Sequence, residues 1–261
     1  MVNFSFSLYD LEYFLLVLTR VSCFVFVAPF FSMSNTPRHV RVALSVFTAI
    51  LLYGTLTPSE MPITYNTVSG YAAMVIKEAV TGLLIGFSAN LCSTIVSFAG
   101  AIVDMETGLS MAQVMDPTTR QQTSITGAIY QYVLMLLLIA TGMYRFLLGA
   151  VADTFSLIPI NGAIFNMDSL LKSMLQFMSS YIVIGFRIAL PVFCTILLLN
   201  AILGVLAKVS PQLNMFAVGI QIKILVGLAV LFFSTSMLSG AADFIFVQMK
   251  DLLKAFAGGL M

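Results

Sequence analysis

Long runs of apolar residues with no strand-like alternation constrain this chain more than any other feature. Six can be drawn, at about 11–31, 40–56, 71–103, 125–152, 174–208 and 213–247. A helix crosses the hydrocarbon of a bilayer in about 20 residues, whereas a membrane β-barrel would show roughly ten-residue alternating segments. The runs therefore predict an all-α membrane protein. Composition agrees: 60% of the residues are hydrophobic and 9% are charged, against about 25% charged in a soluble domain. A net charge of +1 gives no basis for binding nucleic acid.

The runs are not six regular spans. The second is short, and the third would measure about 50 Å at about 1.5 Å per residue, so it must tilt, bend or leave the hydrocarbon. Charges lie within or at the edges of the runs rather than in the loops: Arg20, Lys77, Glu78, Arg187, Lys208 and Lys223. Each costs at least about 2.5 kcal/mol at a bilayer centre, so such residues are expected to face a protein interior or an aqueous path. Arg38, His39 and Arg41 form the one basic loop cluster, too sparse to orient the chain by the positive-inside rule. The N-terminus has no basic region ahead of its apolar run and no small-residue cleavage pattern, so no removable signal peptide is expected. Cys23, Cys92 and Cys194 lie in apolar runs without paired spacing and read as small core hydrophobes.

Within the third run Gly82, Gly86, Asn90, Ser93, Ser97, Gly100 and Asp104 follow at spacings of three or four, which aligns them on one helical face. Small residues on such a face let another helix approach closely. The stripe reads as a subunit contact or a pore-facing wall, with a surface shared with a partner subunit preferred, against the plainer alternative of packing within the chain. The C-terminal part reads as a helical hairpin, its first arm bent at Pro191 and ending near Lys208, its turn "VSPQLN". The tail after Asp251 carries too few features to interpret.

No catalytic constellation emerges. There is one histidine, His39, and no HExxH, GxSxG, CxxC or P-loop pattern. Asp104 and Glu106, two residues apart, point to different helical faces. The chain reads as a non-enzyme without cofactor or metal. A small-solute carrier or ion channel is the alternative, although the inverted repeats common in carriers are not evident. One stretch stands apart, the polar "TGLSMAQVMDPTTRQQTS" at Thr107–Ser124, where Gly108 and Pro117 break the helix between two apolar runs.

Three segments together resemble a family. "LLNAILGVLAKVSPQLNMFAVGIQIKILVGL", the loop "SMAQVMDPTTRQQT", and "RVSCFVFVAPFFSMSNTPRHVRVALS" with its Pro-x-x-x-Arg element are similar to the FliR family of flagellar export-gate proteins and its virulence counterparts, the T subunits of type III secretion. Gln221 stands where that pattern usually has proline, which implies a slightly straighter return arm. The resemblance implies long kinked helices and helical hairpins packed side by side as one subunit of a conical export-gate assembly. About 1–170 would be FliP-like and about 171–261 a FliQ-like hairpin. It implies the partners FliP and FliQ, with FlhB and FlhA, unfolded export substrates in transit, and a place in the bacterial inner membrane at the flagellar basal body.

It further implies a pore plug at Met111, Gln113, Met115, Asp116, Pro117, Arg120, Gln121 and Gln122, where methionines offer soft contacts that re-pack around varied chains. A constriction at Met215 and Phe216 follows by the same resemblance. Charges inside apolar helices would then be solvated by neighbouring subunits.

Overall fold

The computed structural model describes residues 8–33, 36–55, 65, 67–112, 114–115, 122–210 and 215–261. Its helices are α1 (Leu8–Val27), α2 (Arg38–Thr55), α3 (Val68–Thr107), α4 (Ile125–Ala140), α5 (Met143–Leu157), α6 (Met167–Val209) and α7 (Met215–Gly258). One turn of 3₁₀ helix at Leu109–Ala112 and two strands, β1 (Val114–Met115) and β2 (Gln122–Thr123), occupy the segment between α3 and α4. Three helices, α3, α6 and residues 218–258 of α7, are long and apolar enough to cross a membrane. The fold is the all-α membrane architecture that the runs imply, with the small strand pair as its one addition.

The run 125–152 is two helices, not one. Thr141 closes α4 and Gly142 takes φ 72° as the first residue outside α5, so the helix breaks between them. Left-handed backbone costs glycine nothing sterically, so a single residue suffices to turn the chain. At the other long run, α6 continues through Pro191 and α7 is unbroken through Gln221. α7 also extends beyond the apolar run to Gly258, and the featureless tail proves to be core: Leu253 and Leu260 are buried, and the Leu260 and Gly259 carbonyls accept hydrogen bonds from Ile164 and Asn166.

Two compact units divide the chain, with boundaries inside α3, α6 and α7. The first holds residues 1–91, 142–175 and 249–261. Its centre is α1, whose residues Leu16, Val17, Val21, Phe24 and Val25 are buried at helical spacing, a face that includes Arg20. α3 lies against that face through Gly82 and Gly86. A Cβ on Gly82 would overlap the Arg20 carbonyl, and one on Gly86 would come within 2.9 Å of the Phe24 carbonyl.

The second unit holds residues 92–141 and 176–248. Its α3 portion and α4 touch at Gly100 and Gly127, where a Cβ on Gly100 would overlap the Gly127 backbone. A core of Ile102, Val103, Ala189, Val192 and Ile196 joins α3 to α6. The long hairpin helices are otherwise thinly covered: in the apolar window of α6 22% of residues are buried, and in that of α7 6%.

The contrast between crowded and open glycines gives a direct test. Gly100→Ala forces a methyl group into the α4 backbone, an overpacking worth about 1–3 kcal/mol, so the melting temperature in detergent should fall by several degrees. Gly149→Ala in α5, where nothing lies within 4 Å, should leave it unchanged or raise it by a few degrees, since alanine is the better helix former.

Candidate functional site

The first polar site lies wholly inside the first unit. Arg20 and Glu78 are both fully buried, and Arg20 Nε donates to Glu78 Oε2 at 2.5 Å. Arg20 Nη1 donates to the carbonyls of Thr154 at 3.1 Å and Ile158 at 2.9 Å. Those carbonyls belong to the C-terminal end of α5, where the helix dipole favours a cation. The guanidinium also covers the Phe155 ring at 4.3 Å, a cation–π contact strengthened by exclusion of water. The other carboxylate oxygen, Glu78 Oε1, accepts the Asn161 N–H at 2.9 Å. Asn161 has φ 65° in a turn closed by Gly162 N–H to the Pro159 carbonyl, and asparagine tolerates that left-handed position better than most residues.

One ion pair thus fastens α1, α3, the end of α5 and the turn after it. Among the described residues it is the one salt bridge. The sequence carried a signal for it: Arg20 falls on the same helical face as the buried apolar residues of α1, and Glu78 lies one turn before Gly82. The 58-residue separation hid the partnership.

Further polar contacts hold the surroundings. Glu12 Oε1 accepts from the Tyr65 hydroxyl at 2.5 Å, and that hydrogen bond holds the phenol above its usual pKa. The Arg of the Pro-x-x-x-Arg element, Arg41, donates from Nη2 to the carbonyls of Ser32 and Met33, tying α2 to the turn that contains Phe30, a non-glycine residue at φ 74°.

The second site is the base of the α3–α4 loop, inside the second unit. Gly108 ends α3 at φ 85°. Ser124 caps α4 by accepting the Gly127 N–H at 2.9 Å. Buried Asp104 accepts the Thr126 N–H on both oxygens, at 3.3 and 3.2 Å, and the Thr126 hydroxyl as well. A carboxylate at the first turn of α4 satisfies a donor the helix leaves open and complements its dipole. Above this base β1 and β2 pair antiparallel, Val114 with Thr123 and Met115 with Gln122.

The residues expected to act are distributed as follows. Met111 lies in the 3₁₀ turn, Met115 in β1 and Gln122 in β2, while Gln113, Asp116, Pro117, Arg120 and Gln121 lie outside the described residues. Met215 and Phe216 open α7. The stripe on α3 meets this same chain: Gly82 and Gly86 face α1, Gly100 and Asp104 face α4, and the Ser97 hydroxyl reaches Gln131 of α4 at 3.4 Å. Ser93 is buried and Asn90 half-buried. At these positions the close approach expected for a partner subunit is made within the chain, because backbones rather than side chains fill the space beside each glycine. Of the six charges expected inside, Arg20 and Glu78 are buried, Lys77 and Lys223 half-buried, and Arg187 and Lys208 exposed. Cys194 is exposed too, Cys23 half-buried and Cys92 buried.

Breaking the ion pair from one side should be worse than removing it. Arg20→Met leaves a carboxylate buried without its cation, which costs about 3–5 kcal/mol, whereas replacing both partners by apolar residues is often close to neutral. Membrane-inserted protein, measured by immunoblot and thermal unfolding, should drop sharply in Arg20→Met and recover substantially in Arg20→Met/Glu78→Leu. A double variant as poor as the sum of both singles would refute the clasp.

The family described as "Bacterial export proteins, family 1" has a pattern that matches residues 11–249, a range that contains both polar sites. The chain is 29% identical over 220 residues to the flagellar biosynthetic protein FliR of Bacillus subtilis (strain 168), covering 84% of each chain. It is 25% identical over 237 residues to FliR of Escherichia coli (strain K12), covering 90% of this chain and 89% of that one. With FliR of Caulobacter vibrioides (strain ATCC 19089 / CIP 103742 / CB 15) the identity is 26% over 241 residues, 92% of this chain and 94% of the relative.

Proposed function

The chain belongs to the bacterial export proteins, family 1, and from that premise we propose that it is a non-enzymatic subunit of the flagellar type III export gate. It joins FliP and FliQ around a pore for unfolded flagellar proteins, in the inner membrane at the basal body, with FlhB and FlhA as further partners. One copy serves each gate, its residues 1–170 taking a FliP-like place and 171–261 a FliQ-like one. The observation that carries this reading is the family match itself, which runs from residue 11 to 249 and takes in both polar sites, the α3–α4 loop and nearly all of the hairpin. The bare hairpin helices support it, since a subunit packed among siblings needs no complete core of its own. The relatives' shared name, flagellar biosynthetic protein FliR, favours the flagellar machine over a virulence injector and removes the reason to prefer a solute carrier.

In this reading the α3–α4 loop is a plug on a fixed stem. Asp104, Ser124 and the Gly100–Gly127 contact hold its base, and the methionines and polar residues at 111–122 fill the closed pore. Met215 and Phe216, at the start of α7, add a soft apolar constriction that seals against ions and yields to a polypeptide.

Two outcomes check the proposal. Cells lacking the chain should swim no faster than non-flagellate controls and export no flagellar proteins to the medium, both defects being reversed by the gene in trans. Deleting 111–122 should raise leakage of ions or small solutes through the assembled gate, and an unchanged leak would remove the plug.

A further inference from the structure

A groove of about 410 Å³ opens on the second unit between α4, α6 and α7, lined by Tyr130, Arg187, Pro191, Ser236, Met237 and Ser239 among others. Its size and its largely apolar walls are those of a small-molecule pocket or of a seat for an apolar segment. Arg187 is the one charged residue in it. Its guanidinium rests on the Phe244 ring at 4.8 Å, is exposed, and among the described residues forms no ion pair.

The surroundings exclude an ordinary solvated arginine. Along α6, Ile182, Val183 and Phe186 on one side and Leu190, Leu197 and Leu198 on the other are exposed. Arg187 lies near the middle of this 43-residue helix, roughly 30 Å of helix from either end at about 1.5 Å per residue. Arginines that reach lipid headgroups do so near helix ends. Exposed apolar side chains flank this one in both directions along α6. A cation so placed is normally paired with a carboxylate inside protein.

We propose that the groove receives an apolar helix of another subunit carrying one aspartate or glutamate, whose carboxylate pairs with Arg187 while the Ser236 hydroxyl on α7, which lines the groove, donates to one of its remaining lone pairs. The proposal rests on the assembly reading above and names the chemistry of one of its contacts. The Arg187–carboxylate pair fixes the depth at which the two helices meet, as a bidentate guanidinium fork does wherever geometry matters. Truncating one side of such a desolvated pair weakens association by about tenfold or more.

The test uses the full chain in its own cells, with a photoreactive amino acid at Met237 in the groove or, as control, at Phe233, which is exposed on the same helix. From Met237 the expected adduct is to an apolar segment of a different protein that contains an acidic residue. Its yield should fall at least about tenfold in Arg187→Gln and by a smaller factor in Arg187→Lys, which keeps the charge but loses the planar fork. Arg187→Glu combined with an arginine at the captured acidic position should restore the adduct, which also covers a variant that accumulates poorly. Adducts to protein at Phe233 but to lipid alone, or to a second copy of this chain, at Met237 overturn the groove proposal and leave the assembly standing. A Met237 adduct indifferent to Arg187→Gln overturns the groove proposal in the same way. Lipid adducts alone at both positions overturn the assembly reading and the groove together.

Discussion

A guanidinium withdrawn from water must find acceptors inside the protein, and Arg20 finds them in two separate segments, α3 and the end of α5. The Glu78 carboxylate neutralises it, the last carbonyls of α5 accept from it, and the Phe155 ring covers its face. In an interior of interchangeable leucines, isoleucines and valines, apolar contacts are forgiving about register. A hydrogen-bonded charge pair is not, because sliding α1 by one turn would strand two buried charges at a cost of several kcal/mol. Gly82 and Gly86 bring the helix backbones close enough for the pair to form. The pair in turn holds the turn at Asn161 and the end of α5.

The second unit repeats the arrangement with different parts. Asp104 binds the first turn of α4 and the Gly100–Gly127 contact removes the space between helices, so the loop between them leaves from a rigid base. Beyond these two anchored regions the chain does little to cover itself. Phe232 and Phe233 are each more than three-quarters exposed, and most of α7's apolar window lies bare. A chain with this distribution has its fixed points inside and its exposed apolar surface on the hairpin, which suits a component of the flagellar export apparatus better than a self-contained carrier.

Much of this was legible in the residues. The runs marked the helices, and Gly108 marked the end of α3, since a glycine between a long apolar helix and a polar segment is a natural stop. The stripe of small residues on α3 correctly marked a close approach, but spacing alone does not say whether the neighbour is another part of the same chain. The bend at Gly142 was hidden because one glycine in an apolar run is tolerated by helices as often as it ends them. The Arg20–Glu78 pair was hidden by sequence distance, and the short β1–β2 ladder by its length of two residues per strand. Arg187 and Lys208 look alike in sequence to Arg20, as charges in or beside hydrocarbon. What separates them is that Arg20 has an ionic partner among the described residues and the other two do not, a property of tertiary packing.

If other proteins rather than lipid cover the hairpin helices, as proposed, the chain should not exist alone in the membrane. Native mass spectrometry of the tagged chain, extracted from its own membranes in mild detergent, tests this most directly. The chain should appear in a single large particle together with other export subunits, at one copy per particle, with little or none free. A monodisperse, folded species containing this chain alone, stable over the time needed to purify it, would contradict the account.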